Sequence, residues 1–152
     1  MARFATGRFV PKNPQKYVGK SAKQIFFRSS WELHFMKWLD TSNAVLRWGS
    51  EELAIPYISP LDGRPHRYFP DMIIMYLDST GAIKKEIIEI KPYKESVPTP
   101  GMSERDAQAL MVNKAKWEQA ALWASRNGAT FRVITEKTMF RQKSKKAIGS
   151  TV

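Results

Sequence analysis

Apolar positions along this chain recur with two different periods. Over residues 30–40, Trp31, Phe35, Trp38 and Leu39 return at helical spacing and predict an amphipathic helix. Its opening, Ser29-Ser30-Trp31-Glu32, carries the Ser-x-x-Glu pattern of a capping box. Strand-like runs follow at 45–48, 52–58, 67–77 and 82–91, with the polar loop Pro60-Leu61-Asp62-Gly63-Arg64-Pro65 between the second and third. A longer helical pattern runs from Ser103, a predicted N-cap, to Arg126, with Trp117 and Leu122 expected in the core. It stops at Asn127-Gly128, and a last apolar strand over 130–135 follows. Helix, strands, helix, strand predicts an α/β (α+β) fold with a mostly antiparallel central sheet flanked by helices.

The two longest strand runs carry the candidate chemistry. Tyr68-Phe69-Pro70-Asp71 heads one, and Ile88-Glu89-Ile90-Lys91-Pro92 closes the next. Residues two apart in a strand share a face, so Glu89 and Lys91 point the same way. The turn signal Asp78-Ser79-Thr80-Gly81-Ala82 suits a three-residue loop with Gly81 in the left-handed conformation. In that register opposed residues have numbers summing to 160, which sets Asp71 opposite Glu89. Their Cβ atoms would then lie about 5 Å apart, near enough to share one hard cation. A slip of one residue would turn one carboxylate away.

Asp71, Glu89 and the carbonyl of Ile90 offer oxygen ligands for Mg²⁺ or Mn²⁺, and Lys91 a charge for the attacking water or the developing anion. Glu32 is a third carboxylate, able to reach the same metal from the leading helix. Plainer readings stand beside these. Glu89 and Lys91 also make an exposed same-face ion pair worth under about 1 kcal/mol, and helix capping alone explains Glu32. Arg28, Arg67, Lys114 and Lys116 are candidate contacts to a nucleic-acid backbone, although solvated or paired basic residues are commoner. His66, in a polar turn, is expected to be exposed rather than catalytic.

Charge changes the picture. The net charge of +11 is uneven: residues 1–31 hold seven Lys/Arg and no acid, and residues 137–152 hold five and no acid. All fourteen acids lie between Glu32 and Glu136, leaving that segment nearly neutral. The pattern divides the chain into a basic extended N-terminal arm (1–20) that orders only against a partner, a body (21–136) and a basic C-terminal tail (137–152). Such ends seek a polyanion, or keep the chain soluble. Zero Cys excludes a thiolate metal site, a disulfide framework and a cysteine nucleophile, and two His leave little for a histidine-rich site. No stretch reads as a signal peptide or membrane span, so no membrane partner and no small-molecule cofactor are expected.

The segments Arg28-Ser29-Ser30-Trp31-Glu32, Tyr68-Phe69-Pro70-Asp71 and Ile88-Glu89-Ile90-Lys91-Pro92 together resemble the PD-(D/E)xK nuclease superfamily, in its TnsA-like branch. Phe9-Val10-Pro11-Lys12-Asn13-Pro14, Trp38-Leu39-Asp40, Ile55-Pro56-Tyr57 and Asp62-Gly63-Arg64-Pro65-His66-Arg67 add a resemblance to the head-completion nucleases of large contractile-tailed phages. The resemblance implies a restriction-endonuclease-like fold and a Mg²⁺-dependent endonuclease of double-stranded DNA. Glu32, Asp71 and Glu89 would be its metal-site acids and Lys91 its catalytic lysine. It also implies work at the packaged head before tail joining, with head, portal or neck proteins as partners. The setting would be the host-cell cytoplasm during assembly, or the virion. Two alternatives remain: a head-closure or DNA-end-binding protein without required catalysis, and a transposition or repair nuclease. The second is disfavoured because no extra C-terminal domain for a transposition partner is expected.

Overall fold

The computed structural model describes residues 6–19 and 22–138. In chain order the strands are β1 (Gly7–Phe9), β2 (Ile25–Phe27), β3 (Val45–Ser50), β4 (Ile55–Ile58), β5 (Pro65–Tyr68), β6 (Met72–Leu77), β7 (Ile83–Ile90) and β8 (Thr130–Ile134). The α-helices are α1 (Ser30–Thr41) and α2 (Glu104–Arg126). The central sheet has the order β3-β6-β7-β8. Its first three strands are antiparallel, and β8 runs parallel to β7. This is the mixed α+β fold the pattern predicted. Among the described residues no helix is long and apolar enough to cross a membrane.

Strand alternation splits the interior into two cores. Ile88 and Ile90 of β7 and Met72 and Ile74 of β6 pack with Phe35, Met36 and Leu39 of α1 and with Trp48 of β3. Ile87 faces the other way and packs with Ala120 and Ala124 of α2 and Ile55, Tyr57 and Tyr68. Both alanines have no exposed surface, so α2 lies close against its neighbours there. Leu122, expected in the core, is 43% exposed, and Trp38, on the predicted apolar stripe, is 37% exposed. Trp38 instead stacks on Phe35 at 5.7 Å from the rim of α1.

The run expected as one strand over 67–77 is two strands in different sheets. Among the described residues β5 pairs only with β4, while β6 lies in the central sheet between β3 and β7. Pro70 separates them, because proline has no N–H to give a ladder and fixes φ. The hairpin of β6 and β7 has the expected register, with Met72 opposite Ile88 and Leu77 opposite Ile83. Its loop closes through Asp78 N–H to the Ala82 carbonyl (2.9 Å) and Gly81 N–H to the Asp78 carbonyl (3.0 Å). Gly81 has φ +84°. A Cβ at this position meets nothing within 4 Å, so the cost of Gly81→Ala is purely backbone. The expected loss is about 1 kcal/mol in denaturant unfolding, with the fold retained.

The N-terminal segment expected as an extended arm is docked against the body where it is described. β1 pairs with β2, and Tyr17 bridges to Trp48. Asp40, at the end of α1 and 2% exposed, is the anchor. Its carboxylate accepts the backbone N–H groups of Lys12 (2.8 Å) and Asn13 (3.0 Å). Asn13 Nδ2 and Lys16 Nζ donate to the Asp40 carbonyl, and Lys16 also donates to the Ser42 carbonyl. An aspartate near a helix C-terminus opposes the helix dipole, and these donors offset that cost. The expected basic tail lies outside the described residues beyond Thr138.

Candidate active site

The β6–β7 ladder ends at Met72 opposite Ile88, one step before Asp71 and Glu89. Asp71 extends the pairing with its side chain: Oδ2 accepts the Ile90 N–H at 2.7 Å. Its own carbonyl accepts the N–H of Glu51 at 3.1 Å. Asp71 is thus held from both neighbouring strand ends, its carboxylate by Ile90 and its backbone carbonyl by Glu51. Because Ile88 and Ile90 face the α1 core, Glu89 and Lys91 face α2, as alternation requires. Glu89 is buried, its Oε1 accepting the Tyr68 hydroxyl at 2.5 Å and its Oε2 lying 3.7 Å from Lys91 Nζ. Within a strand the N–H and C=O of one residue share an edge, so the Ile90 carbonyl lies on the edge that faces Asp71.

Electrostatics mark the pair as expensive to charge. Burial raises the Asp71 carboxyl well above its ordinary range, and the Glu89 charge raises it further. Glu32 adds to this, while the Ile90 N–H and Lys91 oppose it. Burial also raises Glu89, against the Tyr68 hydrogen bond and the charges of Lys91 and Lys116. Glu32 is raised by burial first, with a backbone hydrogen bond at Arg28 opposing and the Glu51 charge adding. Groups raised on folding bind protons more tightly folded than unfolded, so their favourable contribution is present below the unfolded pKa. It is lost as pH rises through the folded pKa. In EDTA, the melting temperature of the wild type is therefore expected to fall relative to Asp71→Asn as pH rises from the ordinary carboxylate range toward neutrality. A difference that stays constant with pH would overturn this assignment of strain.

The structure brings Asp71, Glu89, Lys91 and the Ile90 edge together. Glu32 lies on α1, which packs on the other face of the sheet, and its charge still acts on Asp71. Among the described residues no three His, Cys, Asp or Glu side chains stand at metal-holding spacing, so Glu32 is not gathered into a ready three-carboxylate set. The donors that do converge are all oxygens, in a partly desolvated place with excess negative charge. That chemistry fits a hard divalent cation.

Arg28 pairs with Glu51 at 2.7 Å, and Arg67 lies over the Phe69 ring at 5.5 Å. Lys114 is exposed on α2. His66 is exposed and contacts Asp62 at 2.9 Å. Lys116 is drawn into the site, with Nζ 5.8 Å and 5.7 Å from the ring centres of Tyr57 and Tyr68.

Two contributors escape a reading of the sequence. Tyr68 lies within a quoted motif, but its hydroxyl finds Glu89 only because β4 and β5 fold over β7. Glu51 has φ +53°, the left-handed region that a glutamate rarely adopts. Its N–H holds the Asp71 carbonyl and its carboxylate holds Arg28, and these contacts keep the strained backbone in place. No local signal at Glu51 marks it beforehand.

The model of the TnsA-like endonuclease N-terminal family matches residues 42–136 of this chain. The chain belongs to the TnsA-like endonuclease family. This TnsA-like chain is also 39% identical over 141 residues to a head completion nuclease of Enterobacteria phage T4, covering 86% of this chain and 91% of that protein. No solved structure matches it. Asp71, Glu89, Lys91 and Lys116 all fall inside the segment matched to the TnsA-like endonucleases, and Glu32 precedes it.

Proposed function

We propose that the chain is a divalent-metal-dependent endonuclease of double-stranded DNA that acts in phage head completion before tail joining. The observation that carries the reading is the desolvated Asp71–Glu89 pair beside Lys91, at the end of a hairpin whose register makes the two acids neighbours. The T4 relative's name supports the setting at the phage head, where head, portal or neck proteins would be the partners. Asp71, Glu89 and the Ile90 carbonyl would hold Mg²⁺ or Mn²⁺, with Glu32 joining from α1. When bound, the ion would supply Lewis acidity toward the phosphodiester.

The protein's own groups do the positioning. The Ile90 N–H fixes one Asp71 oxygen and leaves Oδ1 for another partner. The Tyr68 hydroxyl fixes one Glu89 oxygen and turns the other toward Lys91. Lys91, 23% exposed at its side chain, would hold the attacking water or offset charge on the phosphate.

The test is cleavage of supercoiled plasmid by purified protein, with Mg²⁺, with Mn²⁺ and with EDTA. Nicked or linear product in both metals and none in EDTA is the expected result. DNA retained on the protein with no cleavage in either metal would favour an end-binding role instead.

A further inference from the structure

We propose that Lys116 is the substrate-binding cation of this site, contacting the reacting phosphodiester itself rather than the flanking DNA backbone. The inference rests on the nuclease reading above and assigns a role to a residue on α2, outside the strand motif.

Three observations carry it. The first is placement. The buried Ala120 and Ala124 hold α2 close over the face of β7 that presents Glu89 and Lys91, which brings Lys116 over Tyr57 and Tyr68. The Tyr68 ring under the ammonium is the ring whose hydroxyl fixes Glu89, so one aromatic side chain positions an acid and a base of the same site. Burial lowers the pKa of the Lys116 ammonium, the Glu89 charge opposes that shift and the Lys91 charge adds to it.

The second is how the ammonium is held. Among the described residues, Lys91 is committed to Glu89 and Arg28 to Glu51, whereas Lys116 makes no ion pair within 4 Å. Two ring faces hold it instead. A cation on an aromatic face gives up none of its N–H donors to the ring's own hydrogen-bonding groups, so it remains able to bind an anion.

The third is charge. Asp71 and Glu89 outnumber Lys91, the Glu32 charge adds to them from α1, and a phosphodiester approaching the pair is repelled. A cation with an uncommitted charge on the same face draws the phosphate in and offsets the negative charge that grows during hydrolysis. Lys114, two residues earlier on the helix, is exposed and has no such placement.

The test uses Lys116→Met, which keeps length and packing on the rings, and Lys116→Arg, which restores the charge. Binding of a short duplex is measured in Ca²⁺ from low to moderate salt, and cleavage is measured separately in Mg²⁺. Loss of one phosphate contact is expected to reduce the salt slope of binding by about 0.9. The same variant is expected to cleave at least about tenfold more slowly, with an unchanged melting temperature. Lys116→Arg should recover the slope. An unchanged slope for Lys116→Met, or a melting temperature lowered as far as activity is lost, would overturn the proposal. A wild type without Mg²⁺-dependent cleavage would sink the nuclease reading instead, while the slope comparison would still decide whether Lys116 holds a phosphate.

Discussion

Asp71→Asn is expected to abolish DNA cleavage while making the metal-free protein more stable. Burial desolvates the carboxylate, the charges of Glu89 and, more weakly, Glu32 act on it, and its folded-state pKa lies well above the ordinary value of 3.8. An amide removes that repulsion and still offers an oxygen to the Ile90 N–H. The geometry is kept and the charge is lost. Removing a buried charge that its partners only partly offset gains on the order of 1–2 kcal/mol. Loss of a residue that holds the ion of a phosphodiesterase is expected to cost about 10³-fold or more in rate. Melting in EDTA, beside plasmid cleavage in Mg²⁺, separates the two effects. A variant that is inactive and also less stable would mean that Asp71 acts mainly as a structural brace. A variant that cleaves normally would remove it from the site.

Asp40→Ala is expected to release the N-terminal segment and cost the fold about 3 kcal/mol. The carboxylate satisfies two backbone N–H groups, at Lys12 and Asn13, in a place almost closed to water. Each donor left without a partner costs about 1–3 kcal/mol. For a chain of this size the shift in melting temperature is roughly 10 °C. Limited proteolysis should cut faster between Asn13 and Tyr17, since that turn rests on Asp40 and Lys16. Asp40→Asn keeps one acceptor and should fall between, which preserves the test if the alanine variant does not fold. Wild-type melting with unchanged proteolysis would mean that β1 and Tyr17 hold the segment alone.

These two residues also show what the chain discloses before it folds. The pairing of Asp71 with the end of β7 is legible because a short loop decides it: Gly81 and Asp78 lock the turn, and period-two alternation carries the register along both strands. The helix start at Ser29 is legible for the same reason, as its hydroxyl accepts the Glu32 N–H locally. Asp40 is not legible. Nothing near it marks it as an anchor, because its partners lie 27 and 28 residues away. The basic first segment reads as an arm until those contacts exist. The break at Pro70 was visible as a residue, but not its effect of sending β5 and β6 to different sheets. In the site, Asp71, Glu89 and Lys91 follow from strand parity. Tyr68, Glu51 and the placement of Lys116 depend on elements meeting in three dimensions.

The parallel strand β8 has a consequence for timing. Lys91 N–H donates to the Ile134 carbonyl, and Glu89 pairs in register with Val133. The strand that carries Glu89 and Lys91 therefore has one edge open until the chain has passed through the whole of α2 and returned. A parallel return of this length is a slow, non-local step in folding. During synthesis the acids and the lysine emerge well before the strand that steadies them. Competence to cut would then arrive late, when nearly all of the described chain is in place, giving a newborn nuclease a built-in delay among the nucleic acids around it.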